Sequence, residues 1–419
     1  RETYHENPMH KKDKTKLIDH IATSKLLGFS LFIFFLWLMF EATFVIGEYP
    51  KGWIDSWMSW MEQLVQENFA PGPLADLLTN GIINSVGGII VFLPQILILY
   101  FFILLMEDFG YMVRTAFIMD KLMHKMGLHG KSFILLIMGF GCNVLAVMAT
   151  RTIESRSSRM ITMLAVPLMS CSARLPLYVL ICGTFFAEYA GTMLLVLCLT
   201  GITAAVCMAR LFRKFLFKNE DVPFVMKLPP YRMPTMRNTT IHMWGKAGQY
   251  LKKMGTIILF ASILIWALGY FPLNRTTMAD ETEHLENSYI GQIGKAIEPV
   301  IRPLGFDWKM GVSIVTGLAA KEIVVSSMGI LYHVPDAEEN SQSLIESLQQ
   351  QQYSNGQKVF TPLVAYGFML FILIYFPCMA VIAAIRKEAG WKWALFTIFY
   401  TTGLAWLVSF GVYQIGSLF

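Results

Sequence analysis

Six cysteines punctuate the chain, at 142, 171, 182, 198, 207 and 378, and all of them fall in apolar stretches. Three stand where the backbone pattern is interrupted. Cys142 sits in Gly-Phe-Gly-Cys-Asn (139–143), Cys171 in Met-Ser-Cys-Ser (169–172), and Cys378 directly follows Pro377. Cys182, Cys198 and Cys207 lie in ordinary apolar helix and read as packing residues. Sulfur lining a broken helix suits a transition metal, whereas alkali and alkaline-earth ions prefer oxygen. A cation leaving water needs at least one anionic ligand, from a thiolate or from Glu322. Transport also requires release, so the expected site is a loose set of two or three ligands rather than a closed cage. The predicted metal-path residues are Cys142, Cys171, Cys378, Glu322 and Met169.

Charge inside the apolar stretches is scarce. Of 34 basic and 29 acidic residues, only Arg174, Lys321, Glu41, Glu188 and Glu322 fall outside loops. A charge at mid-bilayer costs at least about 2.5 kcal/mol, so each of these needs a partner or a role. Glu188 ends its span and reads as wetted, and Glu41 as an anchor near the outer end of the first span. Lys321 and Glu322 adjoin a predicted break and either cap it or join a buried ion pair, Glu322 with Arg174. Arg174, just after Cys171 and flanked by prolines, is expected to tie down free carbonyls of the broken backbone. Asn143 and Ser172 complete the supporting polar set. None of the eight histidines lies in a span, which argues against di-iron, haem-pair and zinc enzymes. Gly130-Lys131-Ser132 imitates the end of a P-loop, but Lys125 stands where the first glycine is needed.

The elements that carry these residues are membrane helices. The 419 residues are 55% hydrophobic and 15% charged, against about a quarter charged in soluble proteins. Apolar segments fall at 27–46, 82–106, 133–150, 160–187, 191–209, 254–272, 310–331, 361–385 and 393–414. The fold class is therefore an all-α polytopic membrane protein. The charged opening stretch argues against a signal peptide, and the start at Arg1 reads as a processed or partial chain. Disulfides are not expected among cysteines in apolar segments. A scattered net charge of +5 argues against nucleic acid as a partner.

Loop charges then assign sides. The stretches 1–26, 107–132, 151–159, 210–253 and 386–392 are basic, and 47–81, 273–309 and 332–360 are acidic. The positive-inside rule places the first group, with the N-terminus, in the cytoplasm and the second, with the C-terminus, outside. Segment 133–150 then begins and ends inside, and 310–331 begins and ends outside. This predicts seven spans plus two re-entrant hairpins entering from opposite faces, broken at Gly139/Gly141 and at Gly317.

An internal repeat fits the same scheme. Aligning Gly139-Phe140 with Gly317-Leu318 sets Cys142 against Ala320, Asn143 against Lys321 and Val144 against Glu322. Cys171-Ser172-Ala173 matches Cys378-Met379-Ala380. Inverted halves of this kind place a substrate site near the midplane, where broken helices meet. The predicted organisation is a cytoplasmic linker 1–26, a first half 27–209 with gate 1 at about 82–187, a cytoplasmic linker 210–253, and a second half 254–419 with gate 2 at about 254–385. Trp53, Trp57, Met58, Trp60, Met61 and Leu64 predict an interfacial helix, and the tract 338–358 a flexible external loop.

The motifs carry a resemblance. Gly139-Phe-Gly-Cys-Asn-Val144, Met148-Ala-Thr-Arg-Thr-Ile153 and Pro167-Leu-Met-Ser-Cys-Ser-Ala-Arg-Leu-Pro176 resemble FeoB-type bacterial ferrous-iron transporters. So do Val91-Phe-Leu-Pro-Gln95, Glu107-Asp-Phe-Gly-Tyr-Met112, Gly317-Leu-Ala-Ala-Lys-Glu322, Tyr375-Phe-Pro-Cys378 and Thr401-Thr-Gly-Leu-Ala-Trp406. The likeness covers nearly all of 27–416. It implies a permease for Fe²⁺ uptake across the bacterial inner membrane, not itself an enzyme, in which Cys142, Cys171 and Cys378 match cysteines of the metal path. It also implies a cytoplasmic GTPase domain, using GTP and Mg²⁺, ahead of the first span and absent from this sequence. Small Feo accessory proteins and further copies of the chain are the implied partners, besides the lipid bilayer. Leu145 departs from the family's usual proline, which leaves the first break to rest on glycines. A gate-fold carrier of nucleosides or another solute is the competing expectation.

Overall fold

The computed structural model describes residues 27–69, 93–111, 130–217, 266–271, 288–318, 321, 323–331 and 359–418, with scattered positions in the intervals between them. These residues are helical, with no strand among them. Four of their helical stretches, Arg156–Phe185, Ala190–Phe215, Pro362–Ala389 and Trp391–Gly416, are long and apolar enough to cross a membrane. The tract 338–358 lies outside the described residues, as does most of the linker 210–253.

Helix α1 (Leu27–Glu41) passes through a π-helical turn, Ala42–Ile46, into α2 (Gly47–Asn68). Thr43 Oγ1 donates back to Met39 O at 2.7 Å where the ladder widens. The aromatic stretch around Trp57 is thus the far part of one long helical run, with Trp53, Trp57 and Trp60 exposed. Helix α3 (Leu93–Asp108) stops before Gly110, whose φ of 73° ends it. Arg114 corrects the reading of 107–132 as plain loop. It is fully buried, and its guanidinium donates to Gly110 O at 2.8 Å.

The centre is built from two interrupted helices. Helices α4 (Gly130–Gly141) and α5 (Asn143–Ala149) are followed by α6 (Arg156–Ala165), α7 (Leu175–Phe185) and α8 (Ala190–Phe215). The later part holds α9 (Tyr289–Ile301), α10 (Trp308–Thr316), α11 (Ile323–Leu331), α12 (Pro362–Ile374), α13 (Met379–Ala389) and α14 (Trp391–Gly416). In the run α12–α13 the most apolar window is 78% buried, against 22% in α8 or α14. The broken helices are therefore the interior and the unbroken ones the periphery. Helix α12 is apolar all round, as a fully enclosed helix must be. Helices α8 and α14 bury only one stripe each. These stripes are Leu197, Gly201, Ala205, Ala209 and Phe212, and Ala394, Thr397, Thr401, Ala405 and Ser409. Small side chains at four-residue spacing let the helices close on the core. A Cβ at Gly201 would lie 3.0 Å from Leu168 O.

Polar contacts sort the loops into two ends. Lys131 Nζ donates to Thr152 O at 3.3 Å and pairs with Glu154 at 3.2 Å, so both ends of 131–152 lie side by side. A straight helix would hold them about 31 Å apart. Arg151 and Arg159 both pair with Glu388, bringing 151–159 to 386–392. At the opposite end, Trp406 Nε1 donates to Val300 O at 2.9 Å and Gln414 Nε2 to Pro303 O at 3.2 Å. The P-loop-like Lys131 and Ser132 are thereby accounted for: Lys131 closes this loop and Ser132 Oγ accepts from Thr162 at 2.7 Å.

Candidate functional site

Four interruptions meet in the core. The first falls on the cysteine itself. Helix α4 runs through Gly139 and ends at Gly141, and Cys142 is extended, with φ −149° and ψ 117°, before α5 begins. The glycines do not supply the bend. Gly139 supplies closeness, since a Cβ there would lie 3.2 Å from Met169 Cβ. Leu145 is buried within α5.

The second interruption spans Val166–Arg174. Two short 3₁₀ turns, Val166–Leu168 and Ser172–Arg174, flank extended Met169 and Cys171. The third lies beyond Gly317 at the end of α10. Gly317 itself has helical torsions (φ −64°), and a Cβ there would lie 2.5 Å from Tyr375 Oη and from Val324 Cγ2. The fourth, Tyr375–Cys378, separates α12 from α13.

Side-chain caps occur at helix starts outside these interruptions, although α2, α8 and α14 also start without one. Helices α6, α9, α10 and α12 begin at Ser155, Ser288, Asp307 and Thr361, whose side chains accept from the first-turn amides. Helices α5, α7 and α13 begin at Cys142, Arg174 and Cys378 without a side-chain cap. The Cys142 thiol lies against the amides of Val144 and Leu145 without completing a cap. Uncapped amides at a helix start present a positive dipole to any anion beside them.

The carbonyls freed by the breaks are met by donors. Arg174 is 1% exposed; its Nη1 donates to Met169 O at 2.8 Å and its Nη2 to Pro167 O at 3.3 Å. Both acceptors are carbonyls of the second break. Asn143 bridges the first two breaks with its amide in either orientation. Its Nδ2 reaches Met169 O at 3.4 Å or, turned over, Gly139 O at 2.9 Å and Val166 O at 3.1 Å. Ser172 Oγ returns a bond to Gly141 O at 2.8 Å. In the second set, Lys321 Nζ donates to Phe376 O at 2.7 Å and lies 3.2 Å from the centre of the Tyr375 ring. Met379 N donates to Leu318 O at 3.1 Å, and Tyr375 Oη to Ile314 O at 3.3 Å.

Cys142, Cys171 and Cys378 are each partly buried, and Cys142 is within Coulombic reach of the other two. Among the described residues, no three of His, Cys, Asp and Glu group closely enough to hold a metal ion together. The Met169 side chain is buried against Gly139, and the polar contacts seen at this residue are made by its backbone, the N–H donating to Val166 O and the carbonyl accepting from Arg174. Glu322 lies outside the described residues. Glu41 and Glu188 are exposed and away from this centre. Sequence reasoning passed over Tyr375, signalled only by its place in Tyr-Phe-Pro-Cys. It also passed over Glu388, signalled by being the sole acid of the basic 386–392 loop.

An all-helical membrane protein whose interrupted helices converge in the interior is the class defined by this fold and site. Residues 89–185 and 251–392 match the family described as "Gate: Nucleoside recognition", and residues 194–246 match "Ferrous iron transport protein B C terminus". The chain belongs to the FeoB family of Fe(2+) transporters. It is 54% identical to the Fe(2+) transport protein A/Fe(2+) transporter FeoB fusion protein of Porphyromonas gingivalis, over 100% of this chain and 53% of that protein. It is 42% identical to the Fe(2+) transporter FeoB of Campylobacter jejuni, covering 96% of this chain and 66% of that one. Against its Methanocaldococcus jannaschii counterpart the identity is 39%, covering 96% and 59%. The chain thus spans about half to two thirds of the length of these relatives. No solved structure matches it.

Proposed function

We propose that the chain is the permease part of a ferrous-iron transporter and passes Fe²⁺ across the bacterial inner membrane between Cys142, Cys171 and Cys378. The observation that supports it is the place of these cysteines at three of the helix breaks, with Cys142 in Coulombic reach of both others. The names of the relatives support iron over a nucleoside or other solute. Glu322 is the proposed carboxylate of the path, and Asn143, Ser172, Arg174 and Lys321 hold its walls. In the whole protein a cytoplasmic GTPase domain would use GTP and Mg²⁺, and a protein like the A component of the P. gingivalis fusion would be a partner.

The path requires two halves, 27–209 and 254–419, related by an inverted repeat with hairpins at 133–150 and 310–331. Support comes from contacts that obey the register read from sequence. Asn143 aligns with Lys321, and each donates to a carbonyl at the neighbouring break, Asn143 to Val166 O or Met169 O and Lys321 to Phe376 O. The aligned Gly139 and Gly317 each press on the neighbouring break. The joined ends of 131–152 support the first hairpin. The bond of Ser327 Oγ to Thr316 Oγ1, 2.9 Å across a gap of 11 residues, supports the second. Cys→Ser changes at 142, 171 and 378 should each depress Fe²⁺ uptake by the full-length transporter at unchanged expression. Normal uptake by all three variants would turn the proposal toward an oxygen-lined route through Glu322.

A further inference from the structure

We infer that Glu388 is a positioning residue for this path: held by Arg151 and Arg159, it clamps α5 to α13 and so fixes the separation of Cys142 and Cys378. The inference rests on the cysteine path proposed above. Helices α5 and α13 pack on each other and run in the same sense. Each starts directly after a path cysteine, Cys142 or Cys378; Glu388 lies in the last turn of α13, and Arg151 in the 3₁₀ turn Thr150–Thr152 that follows α5. Arg151 follows Cys142 by nine residues and Glu388 follows Cys378 by ten, so the two helices are levers of nearly equal length.

The far ends of these levers are tied firmly. Arg151 Nε donates to both carboxylate oxygens of Glu388, at 2.8 and 2.7 Å, and Arg151 Nη2 also donates to Oε1. Arg159 Nη2 donates to Oε2 at 2.7 Å. The Glu388 side chain is only 4% exposed, so the pair is shielded from solvent screening on its acidic side. Forked guanidinium bonds fix orientation as well as distance. The contact joins residues 237 positions apart, one from each half, at the end where the basic loops gather. Parting α5 from α13 at this end opens a route to the thiols, and the clamp opposes it.

The test reads thiol exposure rather than iron, so it stays interpretable if the metal reading fails. Full-length protein in lipid nanodiscs, with both faces accessible, is treated with a charged methanethiosulfonate reagent. Modification is timed by mass spectrometry for wild type, for Glu388→Gln and for the Arg151→Gln/Arg159→Gln double variant. Cys182, fully buried on α7 with its Sγ 3.8 Å from Met369 Sδ, gauges general loosening. The expected result is modification of Cys142 and Cys378 about tenfold faster in both variants, a factor within reach of one lost charged hydrogen bond, with Cys182 unchanged. Wild-type rates at Cys142 and Cys378, or an equal acceleration at Cys182, would overturn the clamp.

Discussion

Arg174 and Lys321, the buried cations at the breaks, donate to backbone oxygens. Their acceptors Pro167 O, Met169 O and Phe376 O are carbonyls released where helices stop, the groups a helix end leaves unpaired. A buried cation and a buried unpaired carbonyl are each costly, and joining them relieves both. Removing the Lys321 donor should cost about 1.5–3 kcal/mol, the range for hydrogen bonds to charged groups. Lys321→Met should therefore lower the thermal midpoint in detergent, and Lys321→Arg should recover much of the loss. Equal midpoints for wild type and Lys321→Met would refute this account. The sequence made Arg174 legible because a charge in an apolar run must have a reason. Tyr375 and Glu388 were illegible because an aromatic beside proline and an acid in a loop are ordinary, and their partners Lys321 and Arg151 are distant in sequence.

For the helices, position was easier to read than cause. Interruptions were expected at Gly139/Gly141, at Cys171, at Gly317 and at Pro377–Cys378, and helices stop close to all four. The expected cause, glycine torsional freedom, does not operate at Gly139 or Gly317. Gly139 lies inside α4 and Gly317 has ordinary helical torsions. What these positions require is the absence of a side chain against a neighbouring break, a demand set by residues remote in sequence. Gly317→Ala would drive a methyl into Tyr375 and Val324, which should cost about 1–3 kcal/mol of stability. Gly403→Ala on the exposed face of α14 meets nothing within 4 Å and should be neutral or raise stability by up to about 1 kcal/mol. Thermal midpoints of the two variants check the contrast. If Gly317→Ala is as stable as Gly403→Ala, close packing is not the reason for glycine there.

At the scale of the whole molecule, charge counted along the sequence and contacts formed in space sort the loops alike. Loops 151–159 and 386–392, both basic, are joined through Glu388, and Lys131 joins the basic 107–132 stretch to Glu154. The C-terminal part of α14 is bonded instead to Val300 in α9 and to Pro303 in the turn after it, within the acidic stretch 273–309. Helix α14 has 26 residues, about 39 Å of helix against about 30 Å of hydrocarbon. Its start is packed at the basic end, where Arg386 lies 4.2 Å from the Trp391 ring, so a crossing by α14 would put its two ends at opposite membrane faces. Positive-inside bias then predicts a cytoplasmic basic end. Ser157, in the basic loop, is 2% exposed and unsuited to labelling, and Ser347 lies outside the described residues. Glu154 and Ser417 are exposed and serve instead. In intact cells an impermeant maleimide should modify Ser417→Cys and spare Glu154→Cys until the membrane is permeabilised. Labelling of Glu154→Cys in intact cells, or protection of Ser417→Cys, would break the link between charge and side and with it the hairpin topology.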